Sequence, residues 1–181
     1  IVIDGDQGRS IGGFTRGMAG ELELTRRKLK DDFEFYSRNC LKVRSKSGEV
    51  KGLHLNKAQR FIHDCIEKQR EDTGQVRAIV LKGRQQGVST YVEGRYYWKT
   101  THRHGVRAFI LTHEADSTSA LFEMVERYHE TAPELVKPVT GASNAKELIF
   151  SKLDSGYKVG TAGNKSVGRG TTIQYFHGSE V

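Results

Sequence analysis

The stretch VRAIVLKGRQQGVST, residues 76–90, decides the fold class. Its first six residues, Val76 to Leu81, are mostly apolar and include β-branched side chains, which is typical of a short buried strand. Two glycines follow, Gly83 and Gly87, and Ser89 can open the next helix. A strand that passes through a glycine-bearing loop into a helix gathers backbone N–H groups at the positive end of the helix dipole. This stretch therefore predicts an anion-binding loop, with phosphate as its expected ligand.

Periodic patterns on both sides of this stretch predict an α/β domain. Before it, the pattern predicts a helix from Glu21 to Cys40, a hairpin over 41–55 and a helix capped by Asn56. After it, the pattern predicts a helix at 89–101, a strand at 107–112, a helix through Tyr128, strand-like pieces at 147–150 and 157–161, and a last strand at 173–177. This alternation implies a mostly parallel sheet with helices on both faces. Residues 1–20 are glycine-rich without periodicity and are interpreted as a flexible lead-in.

Length and composition exclude several classes of protein. The chain has 181 residues and a formal net charge of +7, which fits one domain and favours an anionic partner. No apolar run approaches the ~18 residues of a membrane span, and the first residues lack the pattern of a secretion signal. The two cysteines, Cys40 and Cys65, form no C-x-x-C pair, which indicates a reducing compartment. Because the chain starts at Ile1 and stops at Val181 after an apolar run, we expect a piece of a larger protein.

The loop departs from the usual G-x-x-x-x-G-K-[ST] phosphate-binding pattern at two positions. Val88 stands where that pattern has its lysine, and Lys82 stands where it has its first glycine. Lys82 and Arg84 are the obvious replacements for the missing charge, and the Ser89 hydroxyl stands where such a loop ligates magnesium. The alternative is a strand-to-helix turn in which Gly87 only supplies the backbone geometry. The backbone groups expected to line the anion site are those of Gln86, Gly87, Val88 and Ser89.

Two further positions carry candidate chemistry for a nucleotide. The last predicted strand ends in Ser179-Glu180, where Glu180 is the candidate base for an attacking water and Ser179 takes the metal-organising position without a charge. Upstream, Gln59 can donate to an adenine edge and accept from it at once. The alternatives are a solvated acid at a strand end and an exposed glutamine on a helix. No histidine cluster with metal-ligand spacing is present in the sequence.

These residues resemble the large terminase subunit of tailed bacteriophages, the motor that packages DNA into capsids. The resemblance rests on Gly83-Arg84-Gln85-Gln86-Gly87-Val88-Ser89-Thr90, on Gly168-Arg169-Gly170, and on His177-Gly178-Ser179-Glu180-Val181. Asn39-Cys40-Leu41-Lys42-Val43 and Leu55-Asn56-Lys57-Ala58-Gln59 are similar to the approach to that family's ATPase core. The resemblance covers residues 38–181, which it identifies as a P-loop NTPase-like domain truncated after the Walker-B-like strand, while residues 1–37 form the lead-in and an N-terminal helix.

The resemblance implies an ATPase that uses ATP and Mg²⁺ to translocate double-stranded DNA. It assigns catalytic roles to Glu180, Arg84 and Arg169, the last in some members acting from a neighbouring subunit. It assigns nucleotide binding to Gln59 and to the loop residues Lys82, Gly83, Arg84, Gln85, Gln86, Gly87, Val88, Ser89 and Thr90, with Ser89 and Ser179 at the metal. It also implies a homo-oligomeric ring, a small terminase subunit and a portal as partners, and the host cytoplasm as location. The family's nuclease domain has no counterpart in these residues.

Two other functions stay open at this point. The uncharged Val88 and Ser179 also fit a module that binds nucleotide without hydrolysing it and serves in DNA contact or assembly. A different P-loop enzyme, such as a helicase, would share the same loop. Phosphate release by the parent and by Glu180→Gln separates the first two functions, and strand separation would support the third.

Overall fold

The structure, a computed structural model, describes residues 11–45, 47–144, 146–163 and 172–179. Five α-helices and one short 3-10 helix (Ser151–Leu153) are described there; the α-helices are α1 (Ile11–Asp31), α2 (Phe33–Cys40), α3 (Lys57–Thr73), α4 (Val88–His102) and α5 (Ala115–Thr131). The strands are β1 (Lys42–Arg44), β2 (Val50–Gly52), β3 (Arg107–Thr112), β4 (Ala142–Asn144), β5 (Glu147–Phe150), β6 (Ser155–Thr161) and β7 (Tyr175–Ser179). Within these residues no helix is both long and apolar enough to cross a membrane.

The N-terminal part contains more helix than the sequence pattern predicts. Helix α1 starts at Ile11, so the interpretation of residues 11–20 as a flexible lead-in is wrong; residues 1–10 lie outside the described part. The helical region then breaks at Asp32, whose carboxylate accepts a hydrogen bond from the Phe35 N–H (2.9 Å) and so caps α2. The hairpin is confirmed, because β1 and β2 pair antiparallel.

The main sheet has five strands in the order β4-β5-β6-β3-β7. Strand β3 pairs parallel with β6 on one side and with the edge strand β7 on the other, and the β3–β7 pairing confirms the parallel arrangement predicted for residues 107–112 and 173–177. The other two strands join antiparallel, so the sheet is mixed, and β4 was not predicted. Residues Thr112, Thr161 and Ser179 share one register position at the carboxyl ends of the parallel strands.

The core lies between this sheet and the helices on one of its faces. Helices α4 and α5 pack against each other and against β3 and β6, which places both on the same face. Alternate strand residues meet them there: Ala108, Ile110, Tyr157 and Val159 are all nearly or fully buried. On the opposite face, Phe109 stacks on Phe176, whose side chain is 55% exposed. The prediction of helices on both faces is therefore wrong for the described residues.

The apolar run from Val76 to Leu81 is not a strand of this sheet, contrary to the sequence prediction. It has no regular secondary structure and is exposed, with Ile79 at 102% and Leu81 at 101% relative exposure. Strand β7 ends the sheet and has no strand on its outer side among the described residues, but residues 76–81 do not pair with it. The Gln69 side chain takes a strand's place locally: it accepts from the Arg77 N–H (2.8 Å) and donates to the Arg77 carbonyl (3.2 Å).

Candidate phosphate-binding site

The loop between residues 76–81 and α4 has the backbone geometry of an anion site. Its chain turns at residues 84–87, with positive φ at Gln85 (59°) and at Gly87 (75°). Helix α4 begins at the next residue, Val88, and its N-cap residue is Gly87, which has no side chain to cap the helix. The first N–H groups of a helix have no partner within it and carry the positive end of its dipole. This end of α4 can therefore bind an oxyanion through backbone N–H groups.

The direction of α4 follows from its contacts with the sheet. Glu93, in its second turn, is hydrogen-bonded to His177 Nδ1 (2.8 Å) in the middle of β7. One turn later, the Tyr96 hydroxyl donates to the Phe176 carbonyl (2.8 Å). Further along, the Thr100 carbonyl accepts from Ser155 Oγ (2.6 Å) at the start of β6. Helix α4 therefore runs antiparallel to the parallel strands, and its N-terminus points to their carboxyl ends.

This direction places the loop at the carboxyl ends of the parallel strands, where ligands of α/β proteins bind. Ser179 ends β7 there and is half-buried, and Ser89 is half-buried in the first turn of α4. Glu180 follows Ser179 directly in the chain but lies outside the described residues, as does Arg169. Their catalytic roles stay predictions.

The other loop residues divide into exposed and buried positions. The two cations, Lys82 and Arg84, are exposed at the mouth of the loop, where a phosphate group can approach them. Val88 is only 5% exposed, so the residue in the lysine position belongs to the core and makes no polar contact. Gly83, Gln85 and Gln86 are exposed, Gly87 and Thr90 are half-buried, and the Thr90 carbonyl accepts from the Tyr128 hydroxyl (3.2 Å).

Two amide side chains at the start of α3 form hydrogen bonds to the loop backbone. Asn56 and Gln59 form a capping box: Asn56 Oδ1 accepts from the Gln59 N–H, and Gln59 Oε1 accepts from the Asn56 N–H, both at 2.9 Å. Gln59 Nε2 also donates to the Gly87 carbonyl (2.7 Å), and Asn56 Nδ2 donates to the Gln86 carbonyl (3.2 Å). We call this pair, Asn56 and Gln59, the amide clamp. Gln59 is 4% exposed, and its predicted contact with adenine stays untested.

The contact between Glu93 and His177 is a second feature that sequence reasoning missed. Glu93 has no exposed surface, and burial raises the pKa of its carboxyl group, while the bond to His177 acts in the opposite direction. Its second oxygen, Oε2, has no partner in the described part of the chain. The only sequence signal was an acidic residue in a helix that otherwise packs on the sheet. The pair ties the helix that follows the loop to the strand that leads to Glu180.

Among the residues that the structure describes, acidic, histidine and cysteine side chains do not form a metal centre. Residues 11–45, 47–144, 146–163 and 172–179 contain no group of three or more such residues that could hold an ion. The hydroxyl groups of Ser89 and Ser179 are weak ligands without charge. A Mg²⁺ ion at this site would therefore depend on phosphate oxygens for most of its coordination, as it does when it enters with a nucleotide.

The fold is similar to that of a known phage protein. No protein-family profile matches the sequence, and no curated protein matches it. Among solved structures, the large terminase of bacteriophage HK97 superposes with a TM-score of 0.60 at 14% sequence identity, over 76% of this chain. The match spans 28% of the HK97 protein. The chain therefore has a terminase-like fold, while the sequence identity is too low to carry site residues across.

Proposed function

We propose that this chain is the ATPase domain of a DNA-packaging motor of the large-terminase type. The observation that carries the proposal is the N-terminus of α4, with Gly87 as its N-cap residue, at the carboxyl ends of the parallel strands. Phosphate groups bind at such places through backbone N–H groups. The likeness of the fold to the HK97 large terminase supports the motor function, and double-stranded DNA, a small terminase subunit, a portal and further copies of the chain in a ring are the proposed partners.

The proposed chemistry is transfer of the γ-phosphate of ATP to water. Arg84 meets the charge that develops on the γ-phosphate, since its planar fork suits two oxygens at once, and Lys82 holds the other phosphates. Glu180 orients the attacking water, and Arg169 adds positive charge near the γ-phosphate. Mg²⁺ that enters with ATP would be held by Ser89 and Ser179 besides the phosphate oxygens, and it would neutralise phosphate charge.

The test of this proposal is phosphate release in single-turnover conditions, with the protein in excess over ATP and Mg²⁺. We expect slow hydrolysis, because Arg169 of a neighbouring copy completes the site only in the ring. Glu180→Gln should abolish it, and Arg84→Ala should lower it at least about tenfold, which is ~1.4 kcal/mol of transition-state stabilisation. Lys82→Ala should mainly weaken binding, and Val88→Ala should change little.

Two exposed residues away from the loop provide matched controls. Glu49→Gln matches Glu180→Gln, and Arg44→Ala matches Arg84→Ala, but both controls lie in the β1–β2 hairpin. They should leave hydrolysis unchanged. If Arg84→Ala stays active while Lys82→Ala does not, the γ-phosphate role belongs to Lys82. Parent-like hydrolysis by Arg84→Ala, Lys82→Ala and Val88→Ala together would show that this loop is not the site.

A second candidate function is a nucleotide-binding module without hydrolysis. Burial of Val88 favours it, because the side chain in the lysine position cannot reach a phosphate. Tight binding of ATP with no phosphate release, even at concentrations that assemble the ring, would select this function over the first.

A further inference from the structure

Both polar atoms of the Gln59 side chain, which could otherwise bind an adenine edge, already form hydrogen bonds within the protein. Gln59 uses Oε1 for the Asn56 N–H and Nε2 for the Gly87 carbonyl, and it is 4% exposed. An adenine presents one donor and one acceptor on the edge that a glutamine can read. Turning Gln59 toward it would exchange two protein hydrogen bonds for two to the base. The Asn56 N–H and one bond to the Gly87 carbonyl would then be lost, so the exchange brings no net gain.

The same two bonds set the direction of the loop peptides. In a trans peptide the carbonyl and the following N–H point to opposite sides. Asn56 holds the Gln86 carbonyl and Gln59 holds the Gly87 carbonyl, both on the α3 side of the loop. The N–H groups of Gly87 and Val88 therefore point away from α3. Two successive N–H groups that point the same way form a nest for an anion.

Glycine is required at the centre of this arrangement. Gly87 has a φ of 75°, a backbone conformation that side-chain-bearing residues rarely adopt. A Cβ atom at this position would lie 2.7 Å from Gln59 Nε2. The close approach of the amide to the loop thus uses the lack of a side chain.

We infer that this site selects its ligand by the triphosphate and not by the base, with Asn56 and Gln59 as positioning residues for the loop N–H groups. The inference rests on the proposed function and widens its substrate class from ATP to nucleoside triphosphates of any base. Gln59 then contributes to the binding of every ligand that carries the phosphate chain, including one with no base at all.

The test compares the affinities of ATP, GTP, CTP, UTP and inorganic tripolyphosphate, each with Mg²⁺, by titration calorimetry on the full chain. The four nucleotides should bind the parent with dissociation constants within about threefold of one another. Gln59→Met keeps the length of the side chain but removes its amide, and it should weaken all five ligands by a similar factor, about fivefold or more. Gln69→Met, on the same helix but bonded to Arg77, is the matched control and should leave all five unchanged.

A second variant keeps the inference testable if Gln59→Met does not fold. Asn56→Ser retains a good N-cap for α3 but removes the donor to the Gln86 carbonyl. It should also weaken nucleotides and tripolyphosphate alike. Circular dichroism confirms that each variant is folded before titration.

The possible outcomes distinguish a failure of this inference from a failure of the proposed function. At least tenfold preference of the parent for ATP over GTP, removed by Gln59→Met while tripolyphosphate binding is unchanged, would overturn the inference and leave the ATPase in place. Equal affinities in parent and both variants would overturn the positioning role. If neither nucleotides nor tripolyphosphate bind to the parent, the proposed function falls and the inference falls with it.

Discussion

Replacing the buried Lys99 by methionine should stabilise the protein in a pH-dependent way. Lys99 is 4% exposed, and its Nζ lies 4.0 Å from the centre of the Trp98 ring. Burial, together with the nearby positive charges of Arg103 and Arg95, lowers the pKa of Lys99 from 10.5 to about 7, and Glu67 opposes this shift. The folded state thus keeps a charged lysine only at a cost, which methionine removes while it still packs on the indole ring.

The size of the effect follows from proton linkage. Between pH 7 and 10.5 the unfolded chain binds the Lys99 proton and the folded chain does not, so this group makes the parent more stable as pH rises. Each pH unit in that interval corresponds to ~1.4 kcal/mol, so the full cost below pH 7 is at most about 5 kcal/mol. Lys99→Met also loses the contact of the cation with Trp98, which reduces the gain in stability by ~1 kcal/mol. We expect Lys99→Met to gain about 2–4 kcal/mol at pH 6.

Guanidinium unfolding of parent and Lys99→Met at pH 6, 7.5 and 9.5 measures this gain. The gain should fall by about 2–3 kcal/mol between pH 7.5 and pH 9.5. Lys68→Met is the control, because the Lys68 side chain is 78% exposed on α3 and its loss should change the free energy of unfolding by less than about 0.5 kcal/mol at every pH. A gain of equal size at pH 7.5 and 9.5, or a loss at both, would refute the reasoning.

Two further substitutions test contacts that hold the site. His177→Ala should lower the free energy of unfolding by about 3–5 kcal/mol, because it leaves the fully buried Glu93 carboxyl group without its partner; a loss below ~1 kcal/mol in urea unfolding would contradict this. Gly87→Ala should cost more than Gly74→Ala by ~1 kcal/mol or more, since both glycines have positive φ but only the first has Gln59 against its missing Cβ; equal losses in thermal unfolding would show that the close approach is not felt.

Much of the local structure was predictable because its causes lie within a few residues. The Asn56 cap coincides with its prediction, since capping depends on neighbours three or four positions apart, and α4 begins at Val88, one residue before the predicted Ser89. Strand β3 was predictable from its continuous apolar run. The same reasoning failed for Val76 to Leu81, because an apolar run becomes a strand only when its backbone pairs with another strand, and that pairing is not encoded in the run itself.

The site shows the same division between local and long-range causes. The positions of Gly83, Gly87 and Ser89 around a turn and a helix start follow from the order of residues, and so does the expectation of an anion there. The engagement of Gln59 with the Gly87 carbonyl spans 28 positions, and the contact of Glu93 with His177 spans 84. No periodicity or capping rule relates residues so far apart.

The sequence by itself determined most of the helical segments after Glu21, the positions of the hairpin and the glycine turn, and the parallel direction of β3 and β7. These properties depend on side-chain period, β-branching, capping and backbone freedom, all of which are local. Only the tertiary structure decided that α4 runs antiparallel to those strands, so that the loop reaches their carboxyl ends, and that Gln59 faces the loop. Those outcomes depend on how distant segments share one core, and the packing of the whole chain selects them.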